Sequence, residues 1–254
     1  MPSGRLVTME KERLDMVVQR LLGVSRSKAR GLIQTGHVYD TDGRKLDKPG
    51  MRVEQDAALD IREEPRFVSR GGEKLEAAFE AFALDVTGRV AIDVGASTGG
   101  FTDCLLQHGA ACVYAVDVGY GQLAWRLRQD RRVCVLERTN IRNLTPEALD
   151  ELPDVFTADC SFISLRLVLP AVKTLLKTPA EGVVLVKPQF EAGKELVGKG
   201  GVVRDEAVRQ QVVEDVIEAA TDLGFESRGV VPSPLKGPKG NQEFLVHLTL
   251  AAVK

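Results

Sequence analysis

The chain has 254 residues, 44% of them hydrophobic and 28% charged, and a formal net charge of −2. That length suits one large domain or a small domain beside a medium one, and the composition is that of a soluble globule able to bury a core. No signal-peptide pattern is present and the longest apolar run, Leu165 to Leu176, is short and broken by Arg166, Pro170 and Lys173, so a cytoplasmic protein that spans no membrane is expected.

Residues 1–74 hold fifteen Lys/Arg against twelve Asp/Glu, and between Met16 and Tyr39 the cations Arg20, Arg26, Lys28 and Arg30 meet no acid. Such a bias suits a polyanion-facing patch, or a solvated helix face. From Lys11 to Gly23 the residues Leu14, Val17, Val18, Leu21 and Leu22 fall on one helical stripe closed by Gly23. Ser25 caps a second helix that points Ala29, Leu32 and Ile33 inward and Arg26, Lys28 and Arg30 outward, ending at Gly36. Short β-like pieces follow, separated by the turn signals Asp42-Gly43 and Pro49-Gly50. The order R-L-D, then S-R-x-x-A-x-x-L-I-x-x-G, then a turn-rich β segment over residues 11–62 resembles the small α+β RNA-binding module named for ribosomal protein S-four. The resemblance implies that Arg26, Lys28 and Arg30 meet phosphates of structured RNA.

Glu63-Glu64-Pro65-Arg66 and Gly71-Gly72 read as a linker with hinge capacity over residues 65–72, between a first domain at 1–64 and a second at 73–254. A helix is expected from Glu73 to Phe82, burying Leu75, Ala78, Phe79 and Phe82. Strands at Arg89–Val94, Cys112–Val118, Val133–Glu137, Val155–Asp159 and Val183–Val186 alternate with helical patterns, which predicts a mostly parallel sheet covered on both faces. After a helix at Asp205–Leu223, strands near Phe225–Val231 and Phe244–Leu250 give the sheet an antiparallel end.

In the first of these strands the run Ala91 to Val94 meets the turn Gly95-Ala96-Ser97-Thr98-Gly99-Gly100 and then a helix, the layout of a nucleotide-type cofactor loop. The next strand ends in Asp117, about 20 residues on, where such folds bond a ribose. Dinucleotide dehydrogenases share the layout. The spelling, D-x-G-x-S-x-G-G rather than G-x-G-x-x-G, resembles motif I of S-adenosylmethionine-dependent methyltransferases, and implies a Rossmann-like class I methyltransferase sheet. On that reading Asp93 and Gly95 serve the methionine end of the cofactor, Ser97, Gly99 and Gly100 supply loop backbone, Asp117 holds the ribose and Asn140 meets the adenine edge, where relatives of this fold carry an acid.

Four ionisable residues fall where this topology converges: Lys74, Asp159, Lys187 and Glu243. Their neighbourhoods, S-R-G-G-E-K-L, A-D-C-S-F-I-S-L, L-V-K-P-Q-F-E and G-N-Q-E-F-L, resemble those of the TlyA/hemolysin A family, whose members join an S-four-type module to an FtsJ-like ribose methyltransferase domain. The resemblance implies an rRNA 2′-O-methyltransferase acting on cytidines of one or both ribosomal subunits. A ribose hydroxyl needs its proton removed, which assigns Lys187 as base, Asp159 as its orienter, and Lys74 and Glu243 as positioning residues, with like charge from Lys74 making Lys187 easier to deprotonate. Tyr120 and Trp125 suit ligand contact or core packing equally, and the runs 198–201 and 236–240 suit a basic substrate lip or ordinary loops.

Cys104, Cys112, Cys134 and Cys160 show no C-x-x-C spacing and read as small core residues of a reduced protein. His37, His108 and His247 stand apart from one another and from ligand-spaced cysteines or acids, so neither a metal nor a histidine-activated nucleophile is expected. A membrane-acting toxin, the reading the hemolysin name invites, would need an amphipathic or spanning segment; a catalytically idle RNA-binding protein is the third alternative.

Overall fold

The computed structural model describes residues 10–62 and 65–252, and the chain divides into two compact units, Met1–Pro65 and Arg66–Lys254. Glu63 and Glu64, read above as opening the linker, lie outside the described residues.

In the smaller unit, helices α1 (Leu14–Leu22) and α2 (Arg26–Gln34) pack with two antiparallel strand pairs, β1 (Lys11–Arg13) with β3 (Arg52–Glu54) and β2 (Val38–Asp40) with β4 (Leu59–Ile61). Gly23 ends α1 at φ 64, and the Ser25 hydroxyl accepts the Lys28 amide to cap α2. Leu14, Val18, Ala29, Leu32, Ile33, Val38 and Leu46 form the core. The expected stripe on α1 is only half buried: Leu21 and Leu22 are 54% and 42% exposed, because the short strand pairs cover the first turns of the helix and not the last.

Asp15 takes a place in that core beside Leu14 and Val18. It is fully buried, and accepts from Arg13 at 3.0 Å through each oxygen and from Arg26 at 3.1 Å. The hydrogen-bonded guanidinium of Arg13, with Arg26 behind it, holds the Asp15 carboxyl down at about 2. Arg26 is thus paired with a buried acid while its side chain stays half exposed; Lys28 and Arg30 lie on the exposed side of α2.

The larger unit begins with α3 (Gly71–Phe82), two residues ahead of expectation. The segment before it is packed, not hinged: a Cβ on Gly72 would lie 2.2 Å from the Phe67 ring, and one on Gly100 would lie 3.0 Å from Gly71 Cα. Strands β5 (Val90–Val94), β6 (Cys112–Val116), β7 (Val133–Leu136), β8 (Val155–Ala158), β9 (Ala180–Val186), β10 (Phe225–Pro232) and β11 (Phe244–Leu250) form one sheet in the order β10-β11-β9-β8-β5-β6-β7. The five strands β5 to β9 are parallel and β11 runs antiparallel between β9 and β10, as the strand pattern predicts. β9 starts three residues earlier than expected, because Gly182 is a strand residue pressed on Phe156: a Cβ there would meet the Phe156 carbonyl.

Helices cover both faces. Residues such as Ile92, Phe156 and Val184 pack beneath α6 (Leu165–Leu175) and α7 (Glu206–Asp222), while Ala91, Val113 and Leu185 pack beneath α3, α4 (Gly100–Gln107) and the short α5 (Trp125–Arg128). Of the cysteines, Cys104 is buried as expected, while Cys112, Cys134 and Cys160 are only half buried.

The charge in the small core sets a pH limit. Asp15 sits below its ordinary value of about 3.9, so its contribution is present above pH 4 and is lost as pH falls toward 2; two units correspond to about 2–3 kcal/mol. Asp15→Asn should therefore lower the protection of α1 and α2 amides in hydrogen exchange at pH 7 by an amount on that order, leaving β5 unchanged. Equal protection in both units of parent and variant would contradict this account.

Candidate active site

Parallel strands deliver their carboxyl ends to one edge of the sheet, and an antiparallel strand delivers its amino end there. That edge collects Gly95 after β5, Asp159 after β8, Lys187 after β9 and Glu243 before β11, with Lys74 reaching in from the second turn of α3. All five line one cavity of about 580 Å³, together with Ser97 and Gly100. The volume falls in the range of small-molecule sites.

The four charges are arranged as two ion pairs. Lys74 Nζ lies 2.6 Å from Glu243 Oε2, and Lys187 Nζ lies 2.5 Å from Asp159 Oδ1 and 3.0 Å from Ser161 Oγ. Lys187 and Glu243 are buried. Each lysine thus has one carboxylate partner. Glu243 is seated against backbone: a Cβ on Gly237 would lie 2.1 Å from its Oε1, so only glycine fits beside it.

The loop is fixed by contacts below and beside it. Gly95 has φ 84, and a Cβ there would lie 2.6 Å from the carbonyl oxygen of Asp159, so the ends of β5 and β8 touch through backbone. Ser97, at φ 49, donates its amide to Asp117 Oδ2 at 2.8 Å. Gly99, at φ 94, does not line the cavity; a Cβ there would lie 2.3 Å from Leu127, so this glycine lets the loop lie on α5.

Three other residues assigned to the cofactor are not among the cavity-lining residues; Asp117 and Asn140 are half buried. Asp93 is fully buried, accepting from Thr102 Oγ1 at 2.7 Å and Thr157 Oγ1 at 2.9 Å. Burial, reinforced by the nearby Asp159 charge and opposed by the two hydroxyls, raises its carboxyl to about 6. Asp117 spends its oxygens on the amides of Ser97 and Gly119, the latter at 2.6 Å, and Asn140 caps the turn Ile141–Asn143 by accepting the Arg142 amide at 3.1 Å. The geometry makes Asp93 and Asp117 anchors of the loop and Asn140 an anchor of its turn.

Several cavity residues carry no motif. Asn241 is buried, accepts the Val203 amide at 3.0 Å and donates to the Gly201 carbonyl at 2.8 Å, tying the run at 198–203 to the start of β11. Lys236 and Lys239 line the same side. Phe162, at φ 64, is 90% exposed at the cavity and its ring lies 5.0 Å from that of Phe190. Tyr120 and Trp125 are exposed, which removes the core-packing alternative, and Arg138 lies 4.1 Å over the Tyr120 ring. Two histidines that look isolated in sequence are not so in space: His247 lies 3.2 Å from Glu181, and His108 lies 2.7 Å from Glu76 with Cys104 adjacent.

Residues 67–250 match the FtsJ-like methyltransferase family and residues 12–58 match the S4 domain. The chain is 52% identical over 234 residues to the 16S/23S rRNA (cytidine-2′-O)-methyltransferase TlyA of Mycobacterium tuberculosis, covering 91% of this chain and 87% of that one. A solved Streptococcus thermophilus protein named for hemolysin superposes with a TM-score of 0.73 at 45% identity, covering 96% of this chain and 90% of that one. A solved S-adenosylmethionine-dependent methyltransferase from Listeria monocytogenes shares the fold at 17% identity and TM-score 0.54, over 72% of this chain and 100% of its own.

Asp93 gives the second prediction. Its carboxyl is raised above the ordinary value, so the stability of its neutral form is fully present below pH 4 and is lost as pH rises through about 6, a cost on the order of 2–3 kcal/mol at pH 8. Asp93→Asn keeps the shape without the titration. In urea unfolding the variant should gain on the parent between pH 4 and pH 8 by about that amount, and an identical pH dependence in the two proteins would refute it.

Proposed function

The chain belongs to the FtsJ-like methyltransferase family, and from that premise we propose that it transfers a methyl group from S-adenosylmethionine to the 2′-hydroxyl of a cytidine in ribosomal RNA. The observation that carries this reading is the pair of ion pairs, Lys187 with Asp159 and Lys74 with Glu243, facing the glycine loop across one cavity. The site suits the cofactor: a side-chain-free backbone at Gly95 and Gly100 borders a cavity of adequate size. When bound, S-adenosylmethionine supplies an electrophilic methyl on a sulfonium.

The protein's own part is to prepare the hydroxyl. As the ribose oxygen gains the methyl, its O–H bond breaks and the proton passes to Lys187 Nζ in its neutral form. Asp159 and Ser161, both in contact with Nζ, fix its direction, and Asp159 stabilises the ammonium that results. Lys74, held by Glu243, supplies a donor for ribose oxygens on the opposite wall. Phe162 presents an exposed ring at the mouth, suited to stacking a base that has left its helix.

The S4 domain supports RNA as the substrate, with Lys28 and Arg30 as phosphate contacts and Arg26 as the brace of Asp15. A cytoplasmic enzyme acting on ribosomal subunits fits that assignment. Among the described residues no helix is long and apolar enough to cross a membrane.

Two experiments test the reading. Lys187→Arg keeps the charge and resists deprotonation, so single-turnover methyl transfer to rRNA should fall by roughly 10² to 10⁴ while S-adenosylmethionine binding by calorimetry changes little. Near-parental transfer would remove Lys187 from the base role. Reversing Lys28 and Arg30 to Glu, with Arg26 retained, should weaken rRNA binding and reduce its salt slope by about 0.7–0.9 for each phosphate no longer neutralised, without changing cofactor affinity; an unaltered slope would take α2 out of the RNA interface.

A further inference from the structure

We propose that Glu76, Cys104 and His108 form a binding site for a zinc-type divalent cation that staples α3 to α4. The inference stands apart from the methyl-transfer reading. His108 caps the C-terminus of α4 and its amide donates to the Cys104 carbonyl at 3.0 Å, which sets it one turn beyond Cys104, and Glu76 meets the two from α3. Glu76 Oε2 lies 2.7 Å from His108 Nε2 and 3.7 Å from Cys104 Sγ, and the three donor atoms lie within 4.8 Å of one another. A tetrahedral zinc ion with bonds of about 2.0–2.3 Å needs donors roughly 3.3–3.8 Å apart, so the Glu76–His108 contact would lengthen by about half an ångström and the Cys104–His108 separation, which is within 4.8 Å, would settle into the same range.

The surroundings suit an ion. Arg66 bonds the other carboxylate oxygen, Oε1, at 2.6 Å and leaves Oε2 to the cluster. The Phe79 ring stacks on the His108 imidazole at 4.0 Å and fixes its plane. Cys104 is buried while Glu76 and His108 are half buried, so a fourth position opens toward solvent. A sulfur, a nitrogen and an oxygen donor together favour zinc over magnesium or calcium, and thiolate plus carboxylate balance its two charges. On binding, the S–H bond is replaced by a sulfur–metal bond, one proton goes to solvent, and affinity rises with pH. Lys74 is two residues from Glu76 on α3, and Gly100 opens α4, so the staple would hold the catalytic lysine against the glycine loop.

The test uses the full chain, stripped with a chelator and titrated with Co²⁺, whose thiolate complex absorbs in the near ultraviolet, followed by displacement with Zn²⁺. One ion per chain is expected, with a cobalt–thiolate band that disappears in Cys104→Ser and weakens at least tenfold in apparent affinity in His108→Gln. The second variant leaves the buried thiol in place and guards against misfolding of the first. Zn²⁺ should raise the parent Tm, raise that of His108→Gln less and leave that of Cys104→Ser unmoved. No cobalt–thiolate band in the folded parent, or a band that survives in both variants, as the half-buried pair Cys112 and Cys134 at 3.8 Å would give, overturns the proposal.

Discussion

The backbone contact between the ends of β5 and β8 governs the rest of the larger unit. A side chain at Gly95 would collide with the Asp159 carbonyl, so the loop and the acid are set against each other by main chain alone. Beneath them Thr157 of β8 and Thr102 of α4 grip the same carboxylate, Asp93 of β5. Three elements are thus joined at one buried point directly under the cavity. The joint leaves the four charged residues above it free for chemistry, and explains why so much of the glycine loop is spent on packing. It also makes substitution at Gly95 an ambiguous probe of cofactor binding, since the carboxylate partner of Lys187 would move with it.

Much of this architecture is legible in the chain itself. The alternation of apolar strands with helical stripes yields the sheet, and the spacing of Lys74, Asp159, Lys187 and Glu243 along it places all four at one edge. What pattern reading does not reach is which way a polar residue faces. Asp93, Asp117 and Asn140 occupy positions where ligand contact and loop anchoring need the same residue types, and only the hydrogen-bond partners separate the two roles. Asn241 and Phe162 escape such reading because neither belongs to a periodic pattern. Asn241 acts through two backbone groups about 40 positions away, and the importance of Phe162 lies in a backbone angle.

The smaller unit shows the same limit from the opposite side. Its basic helix is real, yet Arg26 is turned to a buried acid that the local sequence places on an apolar stripe. Charge counting treats the three cations of α2 as equivalent; the ion pair with Asp15 ties one of them to the core while leaving it half exposed. An isolated carboxylate in so small a core would be costly, and two guanidinium groups that keep one side in water make it tolerable.

The reversed direction of β11 has a consequence for how the enzyme comes into being. Glu243 reaches the edge where the parallel strands end only because its strand runs against them, and it is the partner of Lys74, 169 positions earlier. During synthesis the glycine loop, Asp159 and Lys187 are all made before that strand exists. The cavity therefore closes last, by a contact of very long sequence separation, and such contacts form late because the intervening chain must first be ordered. Until β11 docks, a nascent chain carries the glycine loop, Asp159 and Lys187 without Glu243 beside Lys74, so catalytic competence waits on that strand.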